Sequence, residues 1–173
     1  MKQKSLFITD FLQRRTQLTP DRIAIRDTIV GVEYTYADWN AQANQTANYL
    51  RSLGVQAGDR VAVYSTNNMP YLDIWMACGK IGAVLQNLNW RLTAPELQRL
   101  IQDAAPVVLV YSDDFIEQVN QFRPNVSSVQ HFIAINQRAQ DNDEHFSARD
   151  SFPPTLTEPR PELDWDSPWV ICY

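Results

Sequence analysis

Between Gly58 and Ile135 the chain alternates two kinds of segment. Val61-Ala62-Val63-Tyr64, Ala83-Val84-Leu85, Val107 to Tyr111 and Phe132 to Ile135 are short runs, nearly all apolar. Between them lie residues 70–81, 94–104 and 114–122, which read as helices. A strand that is apolar on both sides must be covered on both sides. Strands that alternate with helices through short links form parallel sheets wound by helices on either face. The rhythm therefore predicts an α/β fold with a mostly parallel, doubly wound sheet flanked by helices. No sequence repeat underlies it.

Local signals sharpen this outline. Residues 5–18 read as a helix with Phe7, Ile8, Phe11 and Leu12 on one side, ended by Pro20-Asp21. Ile23-Ala24-Ile25 and Val32-Glu33-Tyr34 read as two short strands turning near Gly31, a small N-terminal β-hairpin. Thr35 and Asp38 have capping-box spacing, and Trp39, Ala43, Ala47 and Leu50 follow at helical spacing. Gly54 is placed to take a left-handed helix end, with Val55 packing back on the last turn. Pro70 suits a first helical turn. Thr93 with Glu96 forms a second capping box, stapled by Leu92 and Leu97, and Leu97, Leu100, Ile101 and Ala104 are expected to face the sheet.

Residues 136–167 break the rhythm with Asn, Gln, Asp, Glu and prolines 153, 154, 159 and 161. They read as a long surface excursion, partly mobile. Pro168-Trp169-Val170-Ile171-Cys172-Tyr173 then reads as the start of a buried strand. The expected layout is thus a helix–hairpin–helix entry over 5–58, a βα core over 59–135, the excursion over 136–167 and a strand over 168–173. Because chemistry in α/β folds gathers where strands end, we expect residues 1–173 to be an incomplete N-terminal domain.

Composition excludes several functions. The 173 residues are 45% hydrophobic and carry a net charge of −5, with no basic stripe to grip nucleic acid and no polybasic membrane patch. No apolar run is long enough to span a bilayer, and polar residues interrupt any signal-peptide core near the N-terminus. Two cysteines, Cys78 and Cys172, make no disulfide framework, so a cytoplasmic setting is expected.

Candidate chemistry is sparse. Gly79-Lys80 lacks the upstream glycine of a phosphate loop, and Ile81 stands where Ser or Thr would bind magnesium. Gly79 reads instead as a packing position. The dinucleotide fingerprint is missing. His131 and His145 lack metal-ligand spacing to each other or to a cysteine, and read as a strand start and a loop residue. Cys78 reads as an inert core thiol. Asp113-Asp114 read as a helix start rather than an acid–base pair. Trp90-Arg91 and Asn67-Asn68 follow strand ends, where ligands bind. The plainer expectation for them is that Trp90 covers a core edge, Arg91 bridges to an acidic neighbour, and an asparagine caps the next helix. No catalytic, cofactor-binding or metal-binding residue is assigned.

In order and spacing, the blocks Pro20-Asp21-Arg22-Ile23-Ala24-Ile25, Tyr34-Thr35-Tyr36, Ala47-Asn48-Tyr49-Leu50, Gly54-Val55 and Gly58-Asp59-Arg60-Val61-Ala62 resemble the opening of the AMP-forming acyl-CoA synthetases. Gly82-Ala83-Val84, Leu88 to Thr93 and Glu96-Leu97 are similar to that family's next block. Asp166 to Tyr173 resembles the strand that leads into its signature loop, TSGTTGxPKG. The stretch from Asn89 to Leu92 is more similar to acyl- and aryl-acid CoA ligases than to amino-acid adenylating domains. Asn87 departs from the pattern, since relatives usually have proline there.

The resemblance implies a large N-terminal domain of an acyl-adenylate-forming enzyme. It implies that a carboxylic acid reacts with ATP to give an acyl-adenylate, from which coenzyme A displaces AMP. ATP, Mg2+ and coenzyme A are implied for the parent enzyme and none for residues 1–173, because the groups that would handle them lie beyond Tyr173. The segment alone is expected to be inactive, and to self-associate through apolar surface. Two other readings remain open: a non-catalytic α/β protein-interaction module, and a flavodoxin-like nucleotide-binding domain.

Overall fold

The structure, a computed structural model, describes residues 10–136, 139–140, 142–163 and 166–173. Helix α1 (Phe11–Leu18) precedes an antiparallel hairpin of β1 (Ile23–Asp27) and β2 (Val32–Thr35). Then follow α2 (Tyr36–Ser52), β3 (Arg60–Tyr64), α3 (Met69–Ile81), β4 (Val84–Leu88), α4 (Ala94–Ala104), β5 (Val108–Tyr111), α5 (Ile116–Phe122), β6 (His131–Ala134), β7 (Glu144–His145) and β8 (Val170–Ile171). The six strands from β3 to β8 form a parallel sheet in the order β7-β6-β5-β3-β4-β8.

Strand alternation sorts the core into two layers. Val61 and Val63 of β3 point to one face, where they meet Ile74, Ala77, Cys78 and Ile81 of α3 and Ala47 and Leu50 of α2. Ala62 and Tyr64 point to the other, against Leu97 and Ile101 of α4 and Val119 and Phe122 of α5. This is the doubly wound sheet that the apolar rhythm requires.

The helix ends follow their sequence signals. Thr35 Oγ1 accepts from Asp38 N at 3.1 Å, and Asp38 accepts from Thr35 N at 3.0 Å. Glu96 accepts from Thr93 N at 2.8 Å. Gly54 takes φ +87°, and Val55 N–H returns to the Leu50 carbonyl at 3.2 Å.

Several expectations are corrected. In the first helix the described turns begin after Asp10, and Phe7 and Ile8 lie outside the described residues. Leu12 is buried against Ala43 of α2 and Met76 of α3, but Phe11 is exposed, because successive residues of a helix point about 100° apart. β4 runs on to Leu88, beyond the expected end at Leu85, and so includes Asn87. A polar Gln86 is tolerated inside that strand because its Nε2 donates to the Leu100 carbonyl at 2.8 Å. Asp113–Phe115 form a 3-10 turn ahead of α5. His145, expected in a loop, sits on the edge strand β7. The final strand is half-buried rather than buried, because it pairs on one side only, with β4.

Within the excursion, residues 146–160 pack on the helix layer. Phe146 is buried in the α2/α3 layer, within a 3-10 helix over Phe146–Ser151. Residues 152–160, here termed the strap, then run along α2. Asn44 donates to the Pro154 carbonyl at 2.8 Å, Gln45 to the Phe152 carbonyl at 3.1 Å, and Arg51 to the Glu158 and Pro159 carbonyls at 3.0 and 2.8 Å. Proline removes backbone donors but keeps carbonyls. The helix supplies donors from successive turns, at residues 44, 45, 48 and 51, to meet them.

Candidate functional site

The strand order reverses around β3: the chain steps from β3 to β4 on one side, and α4 then carries it across to β5 on the other. Open parallel sheets bind ligands in the crevice at such a point, beyond the carboxyl ends of the strands. Three short loops meet there, over residues 65–68, 89–93 and 112–115.

The first loop is internally satisfied. Asn68 accepts from Tyr71 N at 2.9 Å and donates to Ser65 Oγ at 2.8 Å, so it caps α3. Asn67 is exposed. In the second loop, Asn89 Oδ1 accepts from Arg91 N at 3.0 Å, a local turn that presents Trp90 outward. Trp90 stacks on Phe115 of the third loop at 6.4 Å, and Phe115 lies 4.7 Å from the Tyr64 ring. Trp90 thus covers the end of β3. Among the described residues Arg91 bridges to no acidic neighbour; its guanidinium lies over the Trp90 ring at 4.1 Å. A guanidinium sheds water easily and stacks well on indole.

Beside these loops an open cleft of about 350 Å³ lies between β4, α4 and the end of β8. Leu92, Leu100 and the Tyr173 ring give it an apolar wall; Asn87, Asn89, Glu96 and Arg99 give it a polar edge. Asn87 joins two elements there: it accepts from the Tyr71 hydroxyl at 2.5 Å and donates to Cys172 Sγ at 3.7 Å. Tyr173 donates to Asp103 at 2.5 Å, and that carboxylate pushes its phenol up to about 12. Such a cleft can hold an apolar group with a polar end.

The other candidates resolve as structural. Asp113 accepts from Asn136 at 2.6 Å, and Asp114 from Ser112 at 3.4 Å. His131 starts β6 and pairs with Glu144 at 2.7 Å. Cys78 is fully buried, and burial pushes its thiol well up, which makes it unreactive. Lys80 is buried on α3 and bound to Asp10 at 3.0 Å and Asn40 at 2.7 Å, far from a phosphate-gripping role. Burial lowers its affinity for the proton, and Asp10 partly restores it. No metal-ligand group of three His, Cys, Asp or Glu residues occurs among the described residues, and no glycine lies in the three loops. With Lys80 buried and Arg91 stacked, these residues do not fit a magnesium triphosphate. No catalytic step is derived from them.

Sequence reasoning missed the asparagines of α2. Asn40, Asn44 and Asn48 are all buried. Their signal was available: asparagine repeated at i, i+4, i+8 inside a helix is costly unless the side chains have partners.

The parallel, doubly wound architecture defines an α/β domain with an open cleft along one sheet edge. Residues 12–173 match the family described as AMP-binding enzyme, and the chain belongs to that family. It is 30% identical over 164 residues to a 3-oxocholest-4-en-26-oate–CoA ligase from Rhodococcus rhodochrous, a match that covers 94% of this chain and 29% of the relative. It is 39% identical over 106 residues to a feruloyl-CoA synthase from an Amycolatopsis species, covering 61% and 21%. A solved Mycobacterium tuberculosis fatty acyl CoA synthetase superposes with a TM-score of 0.84 at 27% identity, over 94% of this chain and 31% of that one. The anthranilate CoA ligase AuaEII, solved with anthranoyl-AMP, shares the fold with a TM-score of 0.87 at 21% identity, over 98% and 32%. The chain therefore spans about 30% of the length of relatives that it matches almost end to end.

Proposed function

We propose that this chain is the opening part of an ATP-dependent carboxylic acid–CoA ligase that activates a fatty or aryl acid as its acyl-adenylate and passes it to coenzyme A. The observation that carries the reading is the family match across residues 12–173, together with relatives that are acid–CoA ligases. In this reading residues 1–173 are scaffold. They build one side of a sheet, set β8 in register with β4, and contribute the cleft beside Asn87 and Tyr173. The groups that bind ATP, Mg2+ and coenzyme A belong to the rest of the ligase, and the setting is cytoplasmic. Apolar residues exposed on the hairpin and α1, such as Ile29, Val30 and Leu18, support self-association.

Acid-dependent ATP–pyrophosphate exchange tests this. The purified 173-residue chain is expected to show no exchange above background with a panel of fatty and aryl acids. A ligase that contains this segment is expected to show it. Exchange by the chain alone would refute the scaffold role. Absence of exchange and of acyl-CoA formation by the longer protein, across the whole panel, would refute the ligase reading.

A further inference from the structure

The described residues hold a second buried polar cluster, remote from the strand ends. Asp10 caps α1 by accepting from Gln13 N at 3.0 Å. The same carboxylate receives Lys80 Nζ of α3 at 3.0 and 3.2 Å. It also faces Arg160 at the end of the strap, with Nε 3.6 Å from Oδ2. Asn40 of α2 closes the cluster: it accepts from Lys80 at 2.7 Å and donates to Gln13 Oε1 at 3.1 Å. The Asp10 and Lys80 side chains are 1% and 0% exposed, and that of Arg160 is 20% exposed.

One carboxylate thus serves two cations, Lys80 from 70 residues and Arg160 from 150 residues further along the chain. The arrangement is asymmetric in a useful way. Removing either cation leaves a paired charge behind. Removing the carboxylate strips both cations of the counter-ion they share and leaves their mutual repulsion weakly screened. Burial and this mutual repulsion already work against Lys80, and Asp10 offsets them. Around the pair, α1, α2 and the strap leave a cleft of about 570 Å³, lined by Gln13 and Thr16 on one side and by Pro154 and Leu156 on the other. Across that open space a charge acts at longer range than packing does.

We propose that Asp10 is a shared counter-ion that couples the docking of α1 to the docking of the strap, so that loss of either segment loosens the other. Linkage makes this reciprocal. The fold then carries a two-part clasp over α2, which opens as a unit while the sheet stays formed. Partial opening of such a unit, below global unfolding, is ordinary for segments held by few contacts.

Native-state hydrogen exchange, read by mass spectrometry on the whole chain, tests the coupling with two variants. Asp10→Asn removes the charge and keeps a side chain that caps helices well. It is expected to speed exchange in residues 11–18 and in the distant residues 155–160, each by about fivefold or more, with β3, β4 and β5 unchanged. Arg160→Gln leaves the Lys80–Asp10 pair in place, so it serves even if Asp10→Asn does not fold. It is expected to speed exchange in α1 as well as in the strap. A rise confined to the segment that carries the substitution overturns the proposal, as does a uniform rise that includes β3 to β5.

Discussion

Asn48, in the middle of α2, donates its side-chain amide to the carbonyl of Pro153 at 3.0 Å, 105 residues further along the chain. The same Nδ2 reaches the Thr155 carbonyl at 2.8 Å, and Oδ1 accepts from Thr157 N at 3.1 Å and Thr157 Oγ1 at 3.0 Å. One helical side chain thereby does for an extended, proline-rich segment what a neighbouring strand would otherwise do.

Asn48→Ala is therefore expected to destabilise the chain by about 2 kcal/mol, because it strips partners from groups held against a buried helix face. Asn67→Ala, at an exposed position in the loop after β3, is the control, expected to stay within about 0.5 kcal/mol of the parent. Urea unfolding midpoints measure both. Equal midpoints for Asn48→Ala and the parent would show that the Asn48 hydrogen bonds contribute nothing to stability.

Asp73 gives a pH signature. It is fully buried on α3 and paired with Arg149 of the 3-10 helix, which also donates to Thr46 Oγ1 at 3.0 Å. Burial pushes the Asp73 carboxyl up to about 6 from an ordinary value of 3.8, and Arg149 only partly offsets that. The folded state thus holds the proton more tightly than the unfolded state does. The stability contributed by this group is greatest below the ordinary value, declines as pH rises toward about 6, and is level above that. The stability difference between the parent and Asp73→Asn should fall across that window and flatten above it. A difference that rises with pH there would contradict the assignment.

The parallel core was legible because its signals are local and redundant. Val61 to Tyr64, the Thr35/Asp38 and Thr93/Glu96 boxes and Gly54 each speak through neighbours within a few residues. The strap was not, because its partners on α2 lie about 100 residues away, and a proline-rich polar run has no periodicity of its own. Arg91 was misread for a related reason: whether a guanidinium meets a carboxylate or an indole depends on where the turn at Asn89 points it. The cleft beside Tyr173 was illegible because β4, α4 and β8 come together only in the folded sheet.

Ala105 should respond in the unusual direction. It ends α4 in the left-handed region at φ +47°, and its carbonyl accepts from Arg60 Nη2 at 2.7 Å. That backbone costs a residue with a Cβ roughly 1–2 kcal/mol. Glycine escapes the strain but loses more freedom on folding, by about 0.4–1 kcal/mol. Ala105→Gly is expected to raise stability by about 0.5 kcal/mol, seen as a higher unfolding midpoint at unchanged slope. A lower midpoint would mean that the turn is set by something other than the strain at this residue.

Gly82 and Gly54 share a backbone conformation but differ in surroundings, which separates strain from crowding. Gly82 lies at φ +76°, and a Cβ there would meet Pro161 Cγ at 2.9 Å, Ala57 Cβ at 3.1 Å and Leu163 Cδ2 at 3.2 Å. Gly54 lies at φ +87° with open space around it. Gly54→Ala is expected to cost about 1 kcal/mol, the backbone effect alone. Gly82→Ala adds a steric conflict with the chain just beyond the strap and is expected to cost about 3 kcal/mol. Pro161→Ala removes the nearest offending atom, so the double variant should recover part of the excess, while Pro161→Ala does nothing for Gly54→Ala. Residues that touch couple and distant ones add; four unfolding curves read the cycle. Strict additivity at Gly82 and Pro161 would show that the chain just beyond the strap does not press on Gly82, just ahead of β4.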